Sequence, residues 1–536
     1  MRVSRSSLSA LLGAALAVVV ATRWIVPSAD PGFVRRDGAR FVVGDHAFRF
    51  VGANVDAMHG PRERRAASRV LDALPADRLG VARVWALGET EGPEAWRDDF
   101  AFRRGPGGWI ASSYAHLDRV LAAARSRGLR VILVLANRWE DYGGFPAYLR
   151  WTGAPARGRT LRAGELRRVY TDRAVERAWR DHVGRLVTRT NAVTGVAYRD
   201  DPTIMAWELV NEGGALTCES GDRMVEWVDR QARFIHERDP NHLVGAGHGG
   251  YASAQGRAIW RRVNALDSVD YADHHAYFDH DAKVDVPADL WPWLADRVAV
   301  AQGLLHKPLV IGEVGFSRAA FDPADRGRWY EAFLTAAEHL GVSGVAAWVY
   351  QPWTEQDNTH GIFAWGPHAS ENEPTRLALR DAAARCAGPP PRPSPRPAAA
   401  IARLHEHDPM FVQDEWVMSA GGASLAVDPW SLEEGCSQGP EAWIELPIRW
   451  PTEGGTELEV SLYAAAIGSL GLTITLDDVE LGRIDSPRQR ARVRVPWRGG
   501  ELRWLRVAST TPPGRALLAR YGVDPPGTDV FMLRLR

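Results

Sequence analysis

The chain has 536 residues, 45% of them hydrophobic, and 65 basic residues nearly balance 66 acidic ones. Such a length exceeds one ordinary domain, so two folded domains are expected. A net charge of −1 offers no basic face and argues against nucleic acid as a partner.

The N-terminus has the pattern of an export signal. Arg2 and Arg5 precede an apolar run from Leu8 to Ala21, and small residues surround Pro27 to Ala29. The run is shorter than the roughly 20 residues that span a bilayer, and Arg23 interrupts its extension. Residues 1–29 are therefore expected to be a cleaved signal peptide, with an uncleaved anchor as the alternative. The protein is then secreted or periplasmic, or tethered to the membrane by that segment. No Cys follows the run, as a lipoprotein would need. Cys218, Cys386 and Cys436 allow at most one internal disulfide, for which Cys386–Cys436 is a candidate. No two cysteines have metal-ligand spacing.

From about residue 40, strand-like runs alternate with helix-period stretches. The strand candidates are Phe48–Val55, Val81–Leu87, Arg130–Asn137, Ile204–Glu212, His242–Gly247, Tyr271–Tyr277, Leu309–Val314 and Gly344–Tyr350. Amphipathic stretches lie between them: one from Tyr114 stops at Gly128, one stops before Pro240, and one stops at Gly341. Eight such units predict an α/β fold, a (β/α)8 TIM barrel over residues 30–387. A doubly wound sheet is the second choice, but it would more often carry a Gly-rich phosphate turn after its first strand, and "VGANVDAMHG" is not one.

"GPPPRPSPRP" then reads as a stiff linker over residues 388–400. Beyond it, "ELEVSLYAA", "LGLTITLDDVELGRI", "RARVRVPW" and "VFMLRLR" read as short strands, with Asp477–Asp478 between two of them as in a hairpin. A small all-β sandwich is expected over residues 401–536. It is either a carbohydrate-binding module, with Trp416, Trp430, Trp443 or Trp450 as platforms, or a structural domain packed on the barrel. The 22 tryptophans suit stacking on sugar rings, although about half are expected simply to fill the core.

In a barrel of this kind the reactive groups sit at the C-terminal ends of strands. Those ends hold Arg83, Trp85, Asn137, Trp139, Asn211, Glu212, His275, Tyr277, Glu313 and Trp348. Glu212 and Glu313 come from separate strands and face one mouth. Glycoside hydrolysis needs such a carboxyl pair flanking the scissile bond, one protonated and one ionised. Glu208 lies deeper and is expected to pair with an arginine. "DHHAYFDH" invites a metal, but adjacent histidines on a strand point to opposite sides, so His274 and His275 are poor co-ligands. No metal site is expected, and no Gly-x-Ser-x-Gly elbow occurs where a serine hydrolase would need it.

At residues 40 to 365 the chain resembles glycoside hydrolase family 5, and within it the endo-β-1,4-mannanases. "LANRWEDYGGFPAYLRWTG" is similar to their loop after strand three. "VTRTNAVTGVAYRDDPTIMAWELVNE" is similar to the helix and strand that deliver their acid/base, and "RDPNHLV" and "VDYADHHAYFD" match their strand-five entry and strand-six motif. The resemblance implies a retaining hydrolase of mannan-type polysaccharide. Glu212 would be the acid/base and Glu313 the nucleophile. Asn211 would bind the sugar 2-hydroxyl, Arg83 and Tyr277 would tune Glu313, His275 would line the same subsite, and Trp348 would lie under the sugar. Trp85, Asn137 and Trp139 would be further subsite residues. On this reading Glu212 holds a pKa above the ordinary carboxylate value and Glu313 stays ionised. No cofactor is implied, and a monomer is expected.

The pattern departs in two places. Gly213–Gly214 stand where the family commonly has Pro after Asn-Glu, and "VYQPWTEQDNTHGIF" is not the usual loop after strand eight, although Trp353 would supply a subsite. Another β-glycan or an oligosaccharide is therefore an alternative substrate, and a non-catalytic carbohydrate-binding protein is a second alternative.

Overall fold

The computed structural model describes residues 32–386, apart from short stretches of which 92–100, 279–289 and 352–358 are the longest, and most strand residues between 442 and 535. Eight parallel strands form the barrel: β1 (Phe50–Val55), β2 (Val81–Trp85), β3 (Arg130–Val134), β4 (Ile204–Glu208), β5 (Leu243–Gly245), β6 (Ala272–Tyr277), β7 (Leu309–Gly315) and β8 (Gly344–Gln351). They pair in the order β5-β4-β3-β2-β1-β8-β7-β6, and a parallel bridge between Gly245 and Tyr271 joins the two ends. Every expected strand is present. Four expected ends overrun: β2 stops at Trp85 and β5 at Gly245, two residues early, while β3 stops at Val134 and β4 at Glu208. The chain leaves the regular ladder there and returns for one isolated parallel bridge, Asn137 to Asn211.

Alternation along the strands sorts side chains into two sets. On β2, Ala82 and Val84 join the large core between sheet and helices, and Val81 packs in a second cluster with Phe50, Ile132, Met205, Leu243, Tyr271 and Val310. Arg83 and Trp85 continue Val81's side toward the C-terminal mouth, where Trp85 packs with Leu87, Val134, Tyr142 and Trp348. The helices run Pro61–Ala76, Ala111–Ser126, Arg173–Val187, Cys218–His236, Ala254–Asn264, Pro323–Leu340 and Glu373–Cys386, among shorter ones. Their stop signals act as expected: Gly341 caps Pro323–Leu340 at φ 79°, a left-handed conformation that suits glycine. At the other end Asp322 accepts from Ala324 N and Asp325 N, both at 2.9 Å, and Pro323 occupies the first turn.

A three-stranded antiparallel ribbon, Val34–Asp37, Arg40–Val43 and His46–Phe48, was not anticipated. Its Val34 and Phe41 join the cluster of Phe50, Val81 and Val310, at the end of the barrel opposite the mouth. Polar residues at four of the first seven ribbon positions hide its alternation from a hydrophobic reading.

In the C-terminal region, two antiparallel sheets are described. One runs Ala442–Arg449, Leu502–Ser509, Leu472–Leu476, Val479–Ile484, and the other Arg490–Arg494, Glu457–Tyr463, Val530–Leu535. The strands flanking Asp477–Asp478 pair antiparallel, as a hairpin requires. Ala442–Arg449 and Leu502–Ser509 were not foreseen. The signal segment, the linker, Trp353, Trp416, Trp430, Trp450 and Cys436 lie outside the described residues, as does the side chain of Trp443. Cys386 is half-buried at the end of the last barrel helix, and its candidate partner Cys436 is outside the described residues.

Candidate active site

The barrel mouth is built around one guanidinium. Arg83 on β2 is 2% exposed. Its Nη1 donates to Asn54 Oδ1 and Glu313 Oε1, both at 2.8 Å, and its Nη2 donates to Asn211 Oδ1 at 2.8 Å. Nε reaches Glu208 Oε1 at 3.1 Å, and Nη2 pairs with the same oxygen. Four strands or strand ends are thereby tied to one planar cation, whose fork matches carboxylate geometry. Glu208 is the buried ion-pair partner that its depth in the strand suggested. Asn54 was not singled out from the sequence, and the signal for it was a polar residue inside an otherwise apolar buried strand. Its amide donates to Gly312 O at 2.9 Å, beside Glu313.

Glu313 sits near the end of β7 and is buried. Besides Arg83, it accepts from the Tyr277 hydroxyl. Glu212 follows β4 at φ 53°, a left-handed conformation that costs a non-glycine residue roughly 1–2 kcal/mol. Its Oε1 lies 2.8 Å from His275 Nδ1, and its Oε2 accepts from Trp139 Nε1 at 2.5 Å. His275 Nδ1 is also 3.5 Å from Glu313 Oε2. His275 thus stands between the two glutamates. His274 turns the other way and packs against Tyr251, Trp260 and Trp293, as strand alternation demands.

The remaining expected residues gather at the same mouth. Asn211 Nδ2 donates to Asn137 Oδ1 at 3.2 Å, and Asn137 Nδ2 donates to Asp141 O at 3.0 Å. Trp85 and Trp348 meet edge to face with centroids 6.0 Å apart. Tyr142, packed against Trp85 at 6.3 Å, extends this apolar floor and was not foreseen as a site residue.

One donor atom each from Glu212, His275 and Glu313 lies within 4.8 Å of the others, a spacing that a metal ion would accept. The chemistry of the group favours proton sharing. Arg83 already neutralises Glu313 at 2.8 Å and would repel a cation there. Burial disfavours a charged His275, but Glu313 and Glu212 outweigh it and lift the imidazole above its ordinary 6.5. Burial pushes the Glu212 carboxyl up, yet the bonds from His275 and Trp139 and the charges of His275 and Arg83 hold it at about 2. Glu313 moves the other way: burial, with the charge of Glu212, raises it against the pull of His275 and Arg83. This direction is opposite to the raised Glu212 pKa expected from the sequence, because the bonds from His275 and Trp139 outweigh burial.

The segment after Glu212 is clamped. Tyr170 donates to Gly213 O at 2.8 Å and to Gly214 O at 2.7 Å. A Cβ at Gly213 would meet Val210 Cγ1 at 2.7 Å, and Gly214 lies at φ 52°. The two glycines that depart from the expected proline are therefore required by this path of the chain.

Paired glutamates at the C-terminal mouth of a (β/α)8 barrel are the apparatus of an O-glycosyl hydrolase. The family model described as "GH family 5 beta-mannosidase-like" matches residues 31–363, and the chain belongs to this family. A rice protein, putative mannan endo-1,4-beta-mannosidase 5, is 34% identical over 358 residues, covering 60% of this chain and 70% of its own. Mannan endo-1,4-beta-mannosidase 1 of rice is 32% identical over 308 residues, or 53% of this chain and 69% of that one. Among solved structures, the hyperthermostable endo-1,4-beta-D-mannanase of Thermotoga petrophila RKU-1 is 27% identical with a TM-score of 0.53, covering 63% of this chain and 99% of that chain.

Proposed function

We propose that the protein is a secreted, retaining endo-1,4-β-mannanase, with Glu212 as acid/base and Glu313 as nucleophile. The observation that carries this reading is the meeting of the two glutamates at the barrel mouth, one oxygen of each within 4.8 Å of the other. Inverting pairs stand about 6.5–9.5 Å apart to admit a water, so the close spacing favours a covalent intermediate.

In the first step a Glu313 oxygen attacks the anomeric carbon as the glycosidic oxygen departs. Arg83 and Tyr277 hold Glu313 in place. The departing oxygen takes a proton from Glu212, which draws it from His275 through their 2.8 Å contact. Trp139 steadies the other Glu212 oxygen, and Asn211 stands beside it for the sugar 2-hydroxyl. In the second step a water gives its proton back to Glu212, attacks the same carbon and frees Glu313. Retention follows from the two displacements. Trp348 and Trp85 offer aromatic surface under the bound sugars.

Hydrolysis of linear β-1,4-mannan by the parent, with Glu313→Ala alongside, tests the reading. Internal cleavage by the parent and none by the variant supports it. Cleavage that survives in Glu313→Ala removes the nucleophile assignment. An untouched mannan with a hydrolysed β-glucan favours the second reading, a family 5 glycosidase for another β-glycan, which the Gly213–Gly214 segment beside the acid/base recommends.

A further inference from the structure

Among the described residues, Arg138 is a partly buried cation with no counter-charge. It follows Asn137 at the end of the loop from β3, and its backbone N–H donates to Asn211 O at 3.0 Å, directly beside Glu212. Its guanidinium lies over the Trp139 ring, 5.1 Å from the centroid, and that ring's Nε1 donates to Glu212 Oε2. Its Nε is buried without a hydrogen-bond partner. Among the described residues no carboxylate pairs with it, and its terminal nitrogens are left open. A Cβ at Gly214 would come within 2.8 Å of Arg138 Nη1. The glycine thus clears the space that the guanidinium occupies.

Two other charged clusters in the barrel are closed on themselves. Asp77 is enclosed by Arg376, Arg380 and Tyr350, and the Asp239–His242 pair is closed by Trp207 and Asp201 O. Arg138 differs from these because it is unpaired among the described residues, with Nε buried, and stands beside the reacting groups.

The side on which it stands decides what the anion is. In a retaining pair the acid/base protonates the departing oxygen, so the leaving sugar lies against Glu212 and the segment that follows it. Arg138, Trp139 and Gly214 border that side. Resting on the mannanase reading above, we propose that Arg138 binds a carboxylate on the leaving-side sugar, so that the preferred substrate is an acidic β-mannosidic chain, with a uronic acid residue after the cut. The planar fork of Arg138 meets a carboxylate through two parallel N–H bonds, and the Trp139 face packs beneath the same sugar.

The test compares β-1,4-mannohexaose with the same oligosaccharide oxidised to carboxylate at C6. Two readouts are taken: kcat/KM of the parent, and calorimetric binding to the Glu313→Ala variant. The expected result is a preference of about 10-fold or more for the oxidised chain in both, the scale of one hydrogen-bonded charge pair, weakening with added salt. Arg138→Met should bring the ratio to 1 or below, and Arg138→Lys should keep part of it, since the charge remains without the fork. Equal or better handling of the neutral chain by the parent overturns the proposal while leaving the mannanase reading intact. That comparison needs no variant to fold. If neither chain is bound or cut, the mannanase reading fails and the Arg138 proposal falls with it.

Discussion

Arg83 spends two of its nitrogens on Glu208 and a third on Glu313, so one buried carboxylate fixes the cation that holds the other. Glu208 and Arg83 are both almost wholly buried. Removing one partner of such a pair strands the other charge. Glu208→Ala is expected to destabilise the fold by about 3 kcal/mol in urea unfolding, the low end for a broken buried pair because Glu313 remains as a partner. Glu208→Gln should cost less in stability, because it keeps the shape and an acceptor for Arg83. It should still lower kcat more than it raises KM.

The His275–Glu212 contact makes a prediction about pH. Glu212 is depressed to about 2 from 4.5, so its contribution to stability is present above 4.5 and is lost as pH falls toward 2. His275 is raised above 6.5, so its contribution is complete below 6.5 and is lost as pH rises through the raised value. The charged pair is therefore fully formed between pH 4.5 and 6.5. The Tm difference between the parent and His275→Gln should be largest in that window and shrink on both sides. In the rate profile, the alkaline limb should follow the loss of the His275 proton, above pH 6.5, and should move to lower pH in His275→Gln.

Glu313 offers the converse. Its pKa is raised from 4.5 chiefly by burial, so the folded state binds this proton more tightly than the unfolded one. Its ionised form therefore costs stability, increasingly as pH climbs from 4.5 through the raised value. Glu313→Gln keeps an acceptor for Arg83 and removes the charge. The variant is expected to be inactive yet more stable than the parent at pH 7, by about 1 kcal/mol, with the gap closing toward pH 4.5. Thermal unfolding at several pH values checks it, and a less stable variant at pH 7 would contradict the account.

Tyr170 holds the two carbonyls after Glu212. Tyr170→Phe leaves both without that donor in a buried place, at about 1–3 kcal/mol by the usual cost of unsatisfied groups. Because Gly213 adjoins Glu212, kcat/KM should fall as well. Gly213→Ala and Gly213→Ser should both destabilise the segment, since each brings a Cβ to 2.7 Å from Val210 Cγ1. Unfolding curves and kinetics on the same samples decide whether loop and activity move together.

The barrel strands were legible because their apolar runs are long and evenly spaced, and the mouth followed from a rule about strand ends. The opposition of His274 and His275 came from period-two alternation alone. The ribbon at residues 34–48 escaped because its strands are three or four residues long and mostly polar on one side. Asn54 escaped because one amide in "GANV" carries no motif. The lowered Glu212 pKa was not legible for a different reason. Spacing along the chain places Glu212 near Glu313, but the sign of its pKa shift depends on His275 and Trp139, which arrive from other strands.

The N-terminal ribbon also sets an order of events. Val34 and Phe41 are made early, yet they pack with Met205, Leu243, Tyr271 and Val310, and β1 pairs with β8 near residue 345. A chain emerging N-terminus first thus carries its stopper for some three hundred residues before the vessel exists. Until then those apolar side chains, and the open edge of β1, are available to any other surface. Contacts this distant in sequence close last, so the leading segment stays uncovered until the barrel shuts.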